Sequence, residues 1–424
     1  LDIEAAFVTT QMQQAMLFYH LSQPESCTFI ETFSWIIEHK SNVPLSTAYR
    51  FDREAFRAAW VSTVLTHSSL RSSFDMEVVP PVQKVRTKKA VQSFLESETS
   101  NWFEYVRAPM HIKTDANCAA IVKMKTQEQR SHGGIDPSSE LLFKLSLIEL
   151  VDHSSQSQEC PDYLIVLTLH HAIVDGYSMP SILKTLTDNY TSSFTQQDAS
   201  SSKNTSLGRL VSSSFELFSR YEHELLESSN SKDPVKHYRL LQLQNYWRNL
   251  MQGWSGCNEF SNMPVAVINT ADAEVLRCQH PVAASTAARC QLAAREANVT
   301  LASLVHAAWC IVFKLSVACL ESNNSSDLSA SNHRTSSDIL YGCTATGRSA
   351  PVSHLSEVVG PVINTFPVRI QSSVHTKAYP AVEFVRKVHD QLVSSVNCET
   401  LPLPEIQRLA TTHTRLSARC PFPL

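Results

Sequence analysis

Two adjacent histidines, His170 and His171, precede Asp175 by five and four residues, and no other group in the sequence is as chemically informative. An imidazole has an unperturbed pKa of about 6.5, so a histidine held in place can accept a proton near neutral pH. The carboxylate of Asp175 can either pair with His171 or bind an arginine and lock the turn between them. The spacing is therefore typical of general-base chemistry.

A strand must deliver these histidines. Residues 163–169, YLIVLTL, form a short apolar run that predicts a buried strand. Alternation along that strand directs His170 and His171 to opposite faces, so we expect the two imidazoles to have different roles. We expect Gly176 to supply a positive φ where the chain turns from strand to helix. Ser178 is expected to cap the helix that follows.

The remaining periodic segments predict a mixed α/β fold. Asp52 is expected to cap a helix, with Phe51 before it as a hydrophobic staple. A nearly continuous apolar run, 301–320, has the length of a membrane span, but it contains His306 and Lys314 and is predicted to be a buried helix capped by Thr300. Further helices are predicted at 10–21, 284–297 and 381–396, and strands at 141–150, 163–169, 338–344 and 362–370.

Three polar tracts, 126–140, 191–206 and 321–337, are predicted to be loops or linkers. The middle tract lies near the halfway point of the chain. It predicts two lobes, an N-terminal lobe of residues 1–190 that carries the histidines and a C-terminal lobe of residues 191–424.

The composition excludes several classes of protein. The net charge of −4 provides no basic surface for nucleic acid or an anionic membrane. Nine glycines in 424 residues leave no phosphate-binding glycine loop. The eleven cysteines include no CxxC, which argues against zinc ribbons and a disulfide scaffold. The first residues lack the features of a signal peptide, so we expect a cytoplasmic location.

Motifs for two classes of hydrolase, zinc proteases and serine hydrolases, are missing from the sequence. Residues 223–227 read HELLE, which lacks the second histidine of a zinc protease, so no metal site is expected. No GxSxG is present for a serine hydrolase.

Several motifs occur in an order that resembles the condensation domains of nonribosomal peptide synthetases. That family carries HHxxxDG, which residues 170–176 match. Other matches are TTQMQQAML at 9–17, HSSLRSSF at 67–74, Tyr246-Trp247 with Leu250, and GPVINTFPVR at 360–369. The resemblance covers nearly the whole chain. The spelling of the motifs, including TGR at 346–348, looks most like fungal enzymes and, within them, hydroxamate siderophore synthetases.

The resemblance implies two chloramphenicol-acetyltransferase-like lobes in a V-shaped pseudo-dimer with a central tunnel. It implies an acyltransferase that forms an amide bond between a donor acyl or peptidyl thioester and an acceptor aminoacyl thioester. Both substrates would arrive on phosphopantetheine arms of upstream and downstream carrier domains, beside an adenylation domain, and the chain itself would bind no cofactor. We expect an excised domain of this kind to be monomeric.

The resemblance also implies residue roles. His171 is the expected catalytic histidine, as a base or as the group that holds the amine, and His170 is expected to be structural. Asp175 is expected to orient the site, with Arg71 as the first candidate for its salt-bridge partner and Arg348 as the second. Gly176 is required for the turn. Ser178, Arg348 and Asn364 are possible substrate or tunnel contacts.

Three related types of domain each require a motif that this sequence does not have. An epimerisation domain needs an EGHGRE-like string, a heterocyclisation domain replaces His170 with Asp, and plant-type acyltransferases carry DFGWG. The alternative of a catalytically silent module that docks or gates carrier proteins is left open.

The YxDFAxW motif is missing and residues 401–407 match the sixth motif poorly, so we expect a shortened C-terminal lobe. The substrates, amide or ester product, iterative use and place in the assembly line are left open.

Overall fold

The computed structural model of this 424-residue chain contains helices and strands in alternation. The residues that the structure describes are 2–23, 27–38, 51–97, 100–108, 115–131, 134–139, 141–150, 161–195, 214–228, 233–254, 280–324, 338–371 and 380–411. The strands are β1 (Ile3–Val8), β2 (Ile30–Ile37), β3 (Ser72–Asp75), β4 (Val82–Arg86), β5 (Phe103–Ala108), β6 (Phe143–Leu150), β7 (Asp162–His170), β8 (Ile339–Ala345) and β9 (Asn364–Ile370).

The helices cover the sheets and fill the intervals between them. They are α1 (Gln11–Ser22), α2 (Arg53–Thr66), α3 (Lys88–Glu96), α4 (Asp115–Ser131), α5 (Met179–Thr195), α6 (Phe215–Glu227), α7 (Pro234–Met251), α8 (Ala284–Ala297), α9 (Leu301–Asn324), α10 (Ala381–Val396) and α11 (Leu403–Thr411). The predicted mixed α/β class is confirmed.

The chain divides into two compact units. One consists of Leu1–His223 and Pro351–Val362, and the other of Glu224–Ala350 and Ile363–Leu424. Residues 215–223 and 351–362 therefore pack with the first unit, although the sequence analysis assigned them to the C-terminal lobe. The description of the two units as related lobes, with the boundary at residue 190, stays a prediction.

The first unit contains the strand that carries the histidines. Its four-stranded sheet has the order β2-β7-β6-β5, in which β7 is antiparallel to both neighbours and β5 and β6 are parallel. Every residue of β7 is buried. Leu164 and Val166 pack with β6 and with Ile121 and Val122 of α4. A three-stranded antiparallel sheet, β1-β4-β3, completes the strands described in this unit.

The second unit is described around the antiparallel pair β8 and β9. Trp247 of α7 is fully buried, and its ring lies 5.7 Å from that of Phe366 on β9. Arg369 of β9 pairs with Asp338 at 2.6 Å and donates to the carbonyls of Leu250 and Gln252 at the end of α7. These contacts attach α7 to the strand pair.

Local signals in the sequence located most of the predicted elements. The four predicted strands correspond to β6, β7, β8 and β9, and the predicted helices to α1, α2, α8, α9 and α10. Asp52 caps α2 by accepting from the backbone of Glu54 and Ala55, and the Phe51 ring lies 5.5 Å from that of Phe56, as the staple requires.

Two expectations about helices are wrong. Each of the three tracts predicted as loops begins inside a helix: residues 126–131 belong to α4, 191–195 to α5 and 321–324 to α9. The prediction fails there because the polar end of a helix can have the same composition as a linker. The apolar helix α9 is not buried throughout, since Val305, Trp309 and Leu315 are at least half exposed. In the part of the chain that the structure describes, no single helix has the length and hydropathy of a membrane span, and the pair α8 with 301–316 passes only when taken together across a 102° bend.

Candidate functional site

The two histidines lie where β7 ends. His170 is the last residue of the strand, and His171 begins a 3-10 turn that runs to Ile173. A second 3-10 turn, Gly176–Ser178, leads into α5. The chain therefore turns from strand to helix in two short steps, with Asp175 between them.

His170 is completely buried, and its Nδ1 accepts a hydrogen bond from the backbone of Ala172 at 3.0 Å. Burial, with smaller effects of His20 and His171, lowers the pKa of His170 to about 3. The ring is therefore neutral at ordinary pH and carries its proton on Nε2. Within the described residues Nε2 has no hydrogen-bond partner. These contacts support a structural role for His170.

His171 is only half-buried. Its backbone N–H donates to the carbonyl of Phe29 at 2.7 Å, and its ring lies edge-on to the Phe29 ring at 6.5 Å. The Nδ1 atom is buried, and no described residue is hydrogen-bonded to it. The backbone of His171 is thus held by a hydrogen bond, whereas its imidazole makes no hydrogen bond to any described residue.

Asp175 locks the turn and does not hydrogen-bond the His171 ring. It is 1% exposed, and its Oδ1 accepts from the backbone and the hydroxyl of Ser178 at 2.9 and 2.6 Å. Its Oδ2 accepts from the backbone of Val362 at 3.1 Å. The carboxylate therefore joins the histidine turn to residues 360–362, far along the chain.

Ser178 contributes to the same connection. Its Oγ accepts from the backbone N–H of Gly360 at 3.1 Å and lies 3.2 Å from the Gly360 carbonyl. The hydroxyl of Ser178 therefore joins Asp175 to Gly360, which the expected capping of the next helix did not include. The predicted contact of Ser178 with substrate stays a prediction.

Gly176 does not adopt the expected positive φ. The glycines with positive φ among the described residues are Gly134, Gly253, Gly347 and Gly360. A Cβ placed on Gly176 would meet no described atom within 4 Å. The expectation fails because the change of direction is made by two 3-10 turns, and a 3-10 turn has ordinary negative φ values.

Arg71 is not the partner of Asp175. It is buried, and its Nη1 binds Glu4 at 2.7 Å and also donates to the carbonyl of Arg86. The register of the small sheet explains this pairing, since β3 begins beside Val85 and Ile3 pairs with Arg86. Arg71, just before β3, and Glu4, near the start of β1, therefore lie on either side of Arg86 of β4. The prediction that Arg71 pairs with Asp175 is wrong.

Two predicted site residues belong to the second unit. Asn364 donates through Nδ2 to the carbonyls of Glu399 and Leu401 at 2.6 and 2.8 Å, which supports a bracing role. Arg348 donates through Nη1 to the carbonyl of Thr346 at 3.2 Å. Their predicted contacts with substrate, and Arg348 as a partner of Asp175, stay predictions.

Gln13 and Ser69 are the contacts of the histidine turn that residue chemistry alone did not indicate. Gln13 donates to the carbonyl of Ala172 at 2.8 Å, and Ser69 donates to that of Ile173 at 2.6 Å. Both lie in motifs that carried the resemblance, at 9–17 and 67–74, and these motifs were the only sign in the sequence that the two residues matter.

Across the described residues, no group of three or more His, Cys, Asp or Glu side chains is arranged to hold a metal ion.

Comparison with known proteins identifies the same type of domain throughout. A family model described as Condensation domain matches residues 3–418. The chain is 22% identical over 417 residues to a linear gramicidin synthase of Brevibacillus parabrevis, covering 96% of this chain and 7% of that protein. It is 24% identical over 413 residues to nonribosomal peptide synthetase 30 of Fusarium vanettenii, covering 97% of this chain and 6% of that protein.

A solved structure shows the shared fold. The condensation domain from the monacolin K polyketide synthase MokA superposes with a TM-score of 0.62 at 13% identity, covering 96% of this chain and 77% of that one. The chain thus spans less than a tenth of the length of either curated relative, but most of a solved domain.

Proposed function

Because the chain belongs to the condensation-domain family, we propose that it joins a donor acyl or peptidyl thioester to an acceptor aminoacyl thioester. The acceptor amine forms a bond to the thioester carbonyl carbon, the carbon–sulfur bond breaks, and the donor's thiol is released. The product is an amide that stays on the acceptor.

The position of His171 carries this proposal. Its backbone is held by Phe29 at the end of a buried strand, and the imidazole is half-buried without a hydrogen-bonded side-chain partner among the described residues. His170 cannot fulfil the same role, because burial lowers its pKa to about 3 and removes it from solvent. A neutral imidazole at position 171 can accept a proton from the attacking amine or hold that amine by a hydrogen bond.

Positioning contributes more than acid–base chemistry in this proposal. A thioester is already an activated acyl group, and holding two tethered reactants in line can supply about 7–11 kcal/mol of the barrier. General-base assistance typically adds about 10²- to 10⁴-fold. Asp175 takes part indirectly, since its carboxylate fixes the turn that carries His171.

The proposed partners follow from the tethered substrates. Phosphopantetheine arms would be brought by an upstream donor carrier domain and a downstream acceptor carrier domain, with an adenylation domain beside them. Two much longer relatives are named as a gramicidin synthase and a nonribosomal peptide synthetase, which supports this assembly. The resemblance to hydroxamate siderophore synthetases stays a prediction.

The test is amide formation by the purified chain and its variant His171→Ala. One carrier protein is loaded with acetyl groups and a second with each of the twenty proteinogenic aminoacyl groups, and product is detected by mass spectrometry. We expect His171→Ala to lower the rate by at least about 100-fold while the circular dichroism spectrum stays unchanged. His280→Ala, at an exposed histidine, serves as the control. Comparable product from a folded His171→Ala variant would contradict the proposed role.

A second candidate is a silent module that docks carrier proteins. It is favoured by one observation, that no described side chain orients the His171 imidazole as the aspartate does in a catalytic triad. In the same experiment, this candidate predicts carrier binding by the unaltered chain with no amide product from any aminoacyl group.

A further inference from the structure

We propose that Gln13 is a positioning residue, which sets the orientation of His171 by holding the backbone carbonyl of the next residue, Ala172. This inference rests on the proposed function of His171. It adds a residue of the first helix whose side-chain hydrogen bonds do not involve the ring of His171.

The amide of Gln13 is fully engaged. The residue is 0% exposed, and its Nε2 donates to the Ala172 carbonyl at 2.8 Å and to Oε1 of Gln83 at 2.7 Å. Its Oε1 accepts from the backbone of Thr10 at 3.1 Å, as part of the box that caps α1. Both amide hydrogens and the oxygen therefore have partners, and a flipped amide would place its oxygen against the carbonyl of Ala172.

These bonds fix His171 from its C-terminal side. The peptide group before His171 is held where its N–H donates to Phe29 at 2.7 Å, and the peptide group of the next residue is held by Gln13. Ser69 holds the following carbonyl, that of Ile173, at 2.6 Å. The main chain is therefore held by hydrogen bonds on both sides of His171.

Gln83 steadies Gln13 in turn. Its Nε2 donates to the hydroxyl of Ser72 at 2.8 Å, and both side chains are fully buried. Since Ser72 opens β3 and Gln83 lies on β4, the small sheet braces the amide that reaches the histidine turn. Misplacing a reacting group by about 1 Å can lower a rate about 100-fold, so this remote amide is able to influence catalysis.

The experiment compares two variants of Gln13 with a neighbour. Gln13→Met keeps the length of the side chain and removes both donors. Gln13→Glu has the same shape and keeps the acceptor for Thr10, but it places an oxygen where Nε2 donated to Ala172 and Gln83. Circular dichroism of each variant shows whether it is folded before its activity is compared. Gln14→Met is the control, because Gln14 is on the same helix but donates to the carbonyl of Thr9 at 2.8 Å.

We expect each Gln13 variant to lower kcat by about 10- to 100-fold with KM for the acetyl-loaded donor carrier within about twofold. Nuclear magnetic resonance should show shifted imidazole signals of His171 in both variants, with or without substrates. Gln14→Met should retain the unaltered kcat and the unaltered histidine signals.

The outcomes separate this inference from the proposed function. Unchanged kcat and unchanged His171 signals in a folded Gln13 variant would overturn the positioning role, even if His171→Ala is inactive. An equal loss in Gln14→Met would also overturn it, by showing a general effect of α1. If His171→Ala retains activity, the proposed role of His171 fails, whereas the resonance measurement still reports on Gln13.

Discussion

At the scale of single residues, adjacent positions have opposite properties. His170 ends a strand that is buried on both faces, and its pKa is lowered to about 3, mainly by that burial. His171 begins the next turn and is half-buried. One residue of chain is enough to separate a fully buried imidazole from a half-buried one, because the strand ends between them.

The buried histidine predicts a loss of stability in acid. Above pH 6.5 neither state binds a proton at His170, and between pH 6.5 and about 3 the unfolded state binds one that the folded state does not. The free energy of unfolding should therefore fall with decreasing pH in that window, by at most about 1.4 kcal/mol per pH unit from this group. The urea midpoint of His170→Gln should depend less on pH from 6 to 4 than that of the unaltered chain.

The control for this prediction is His280→Gln, at an exposed histidine, which should keep the unaltered pH dependence. His67, whose pKa burial lowers to about 4, should still destabilise both proteins in acid. Glu222, whose pKa burial raises to about 7, acts in the opposite sense, so the comparison is made between variants. Parallel curves for His170→Gln and the unaltered chain would contradict the prediction.

At the scale of elements, the turn between β7 and α5 depends on side-chain contacts more than on glycine. Asp175 and Ser178 close it by reciprocal hydrogen bonds, and Gly176 faces open space. The close packing is instead at Gly360, where an added Cβ would lie 2.7 Å from Cγ of Phe215 on α6.

Alanine substitutions should separate these two glycines. Gly176→Ala should change the free energy of unfolding by no more than about 0.5 kcal/mol, since there is room and no positive φ. Gly360→Ala should cost about 1–3 kcal/mol, because the Phe215 ring must move. Chemical denaturation of both variants measures the difference, and equal stabilities would show that the packing at Gly360 is not as described.

At the scale of the whole molecule, chain order and unit membership differ. Residues 351–362 follow most of the second unit in sequence and pack with the first. Asp175 and Ser178 provide the hydrogen bonds that hold the end of this segment, at Val362 and Gly360. The HHxxxDG motif therefore meets the start of the GxxxNTxPxR motif in the first unit, where the backbone of Val362 donates to Asp175 and that of Gly360 donates to Ser178.

Hydrogen exchange should report this connection. In Asp175→Ala, the amides of Gly360 and Val362 should exchange about tenfold faster or more, because a buried hydrogen-bond acceptor is lost. Amides of the β8–β9 pair should keep their protection. Asp188→Ala, which removes an exposed carboxylate paired with Lys184 on α5, should leave both sets unchanged. Faster exchange throughout Asp175→Ala would instead indicate global destabilisation.

The sequence alone determined about half of the elements and the residue types of the site. Capping by Asp52, the apolar run before His170 and the helices 284–297 and 381–396 were readable because caps and periodicity are local properties. The strands β1 to β5 were not predicted. Several of them are short or half-exposed, and their stability comes from partners far along the chain.

The tertiary structure decided which groups meet. Arg71 binds Glu4 because β1 and β3 both pair with β4, one on each side, so that both residues lie next to Arg86. Gln13 reaches Ala172 from a helix 159 residues earlier in the chain. Asp175 binds the backbone of Val362, which no spacing within the HHxxxDG motif could indicate. A local pattern specifies which residues can do chemistry, whereas long-range pairing and burial determine their partners and their charge.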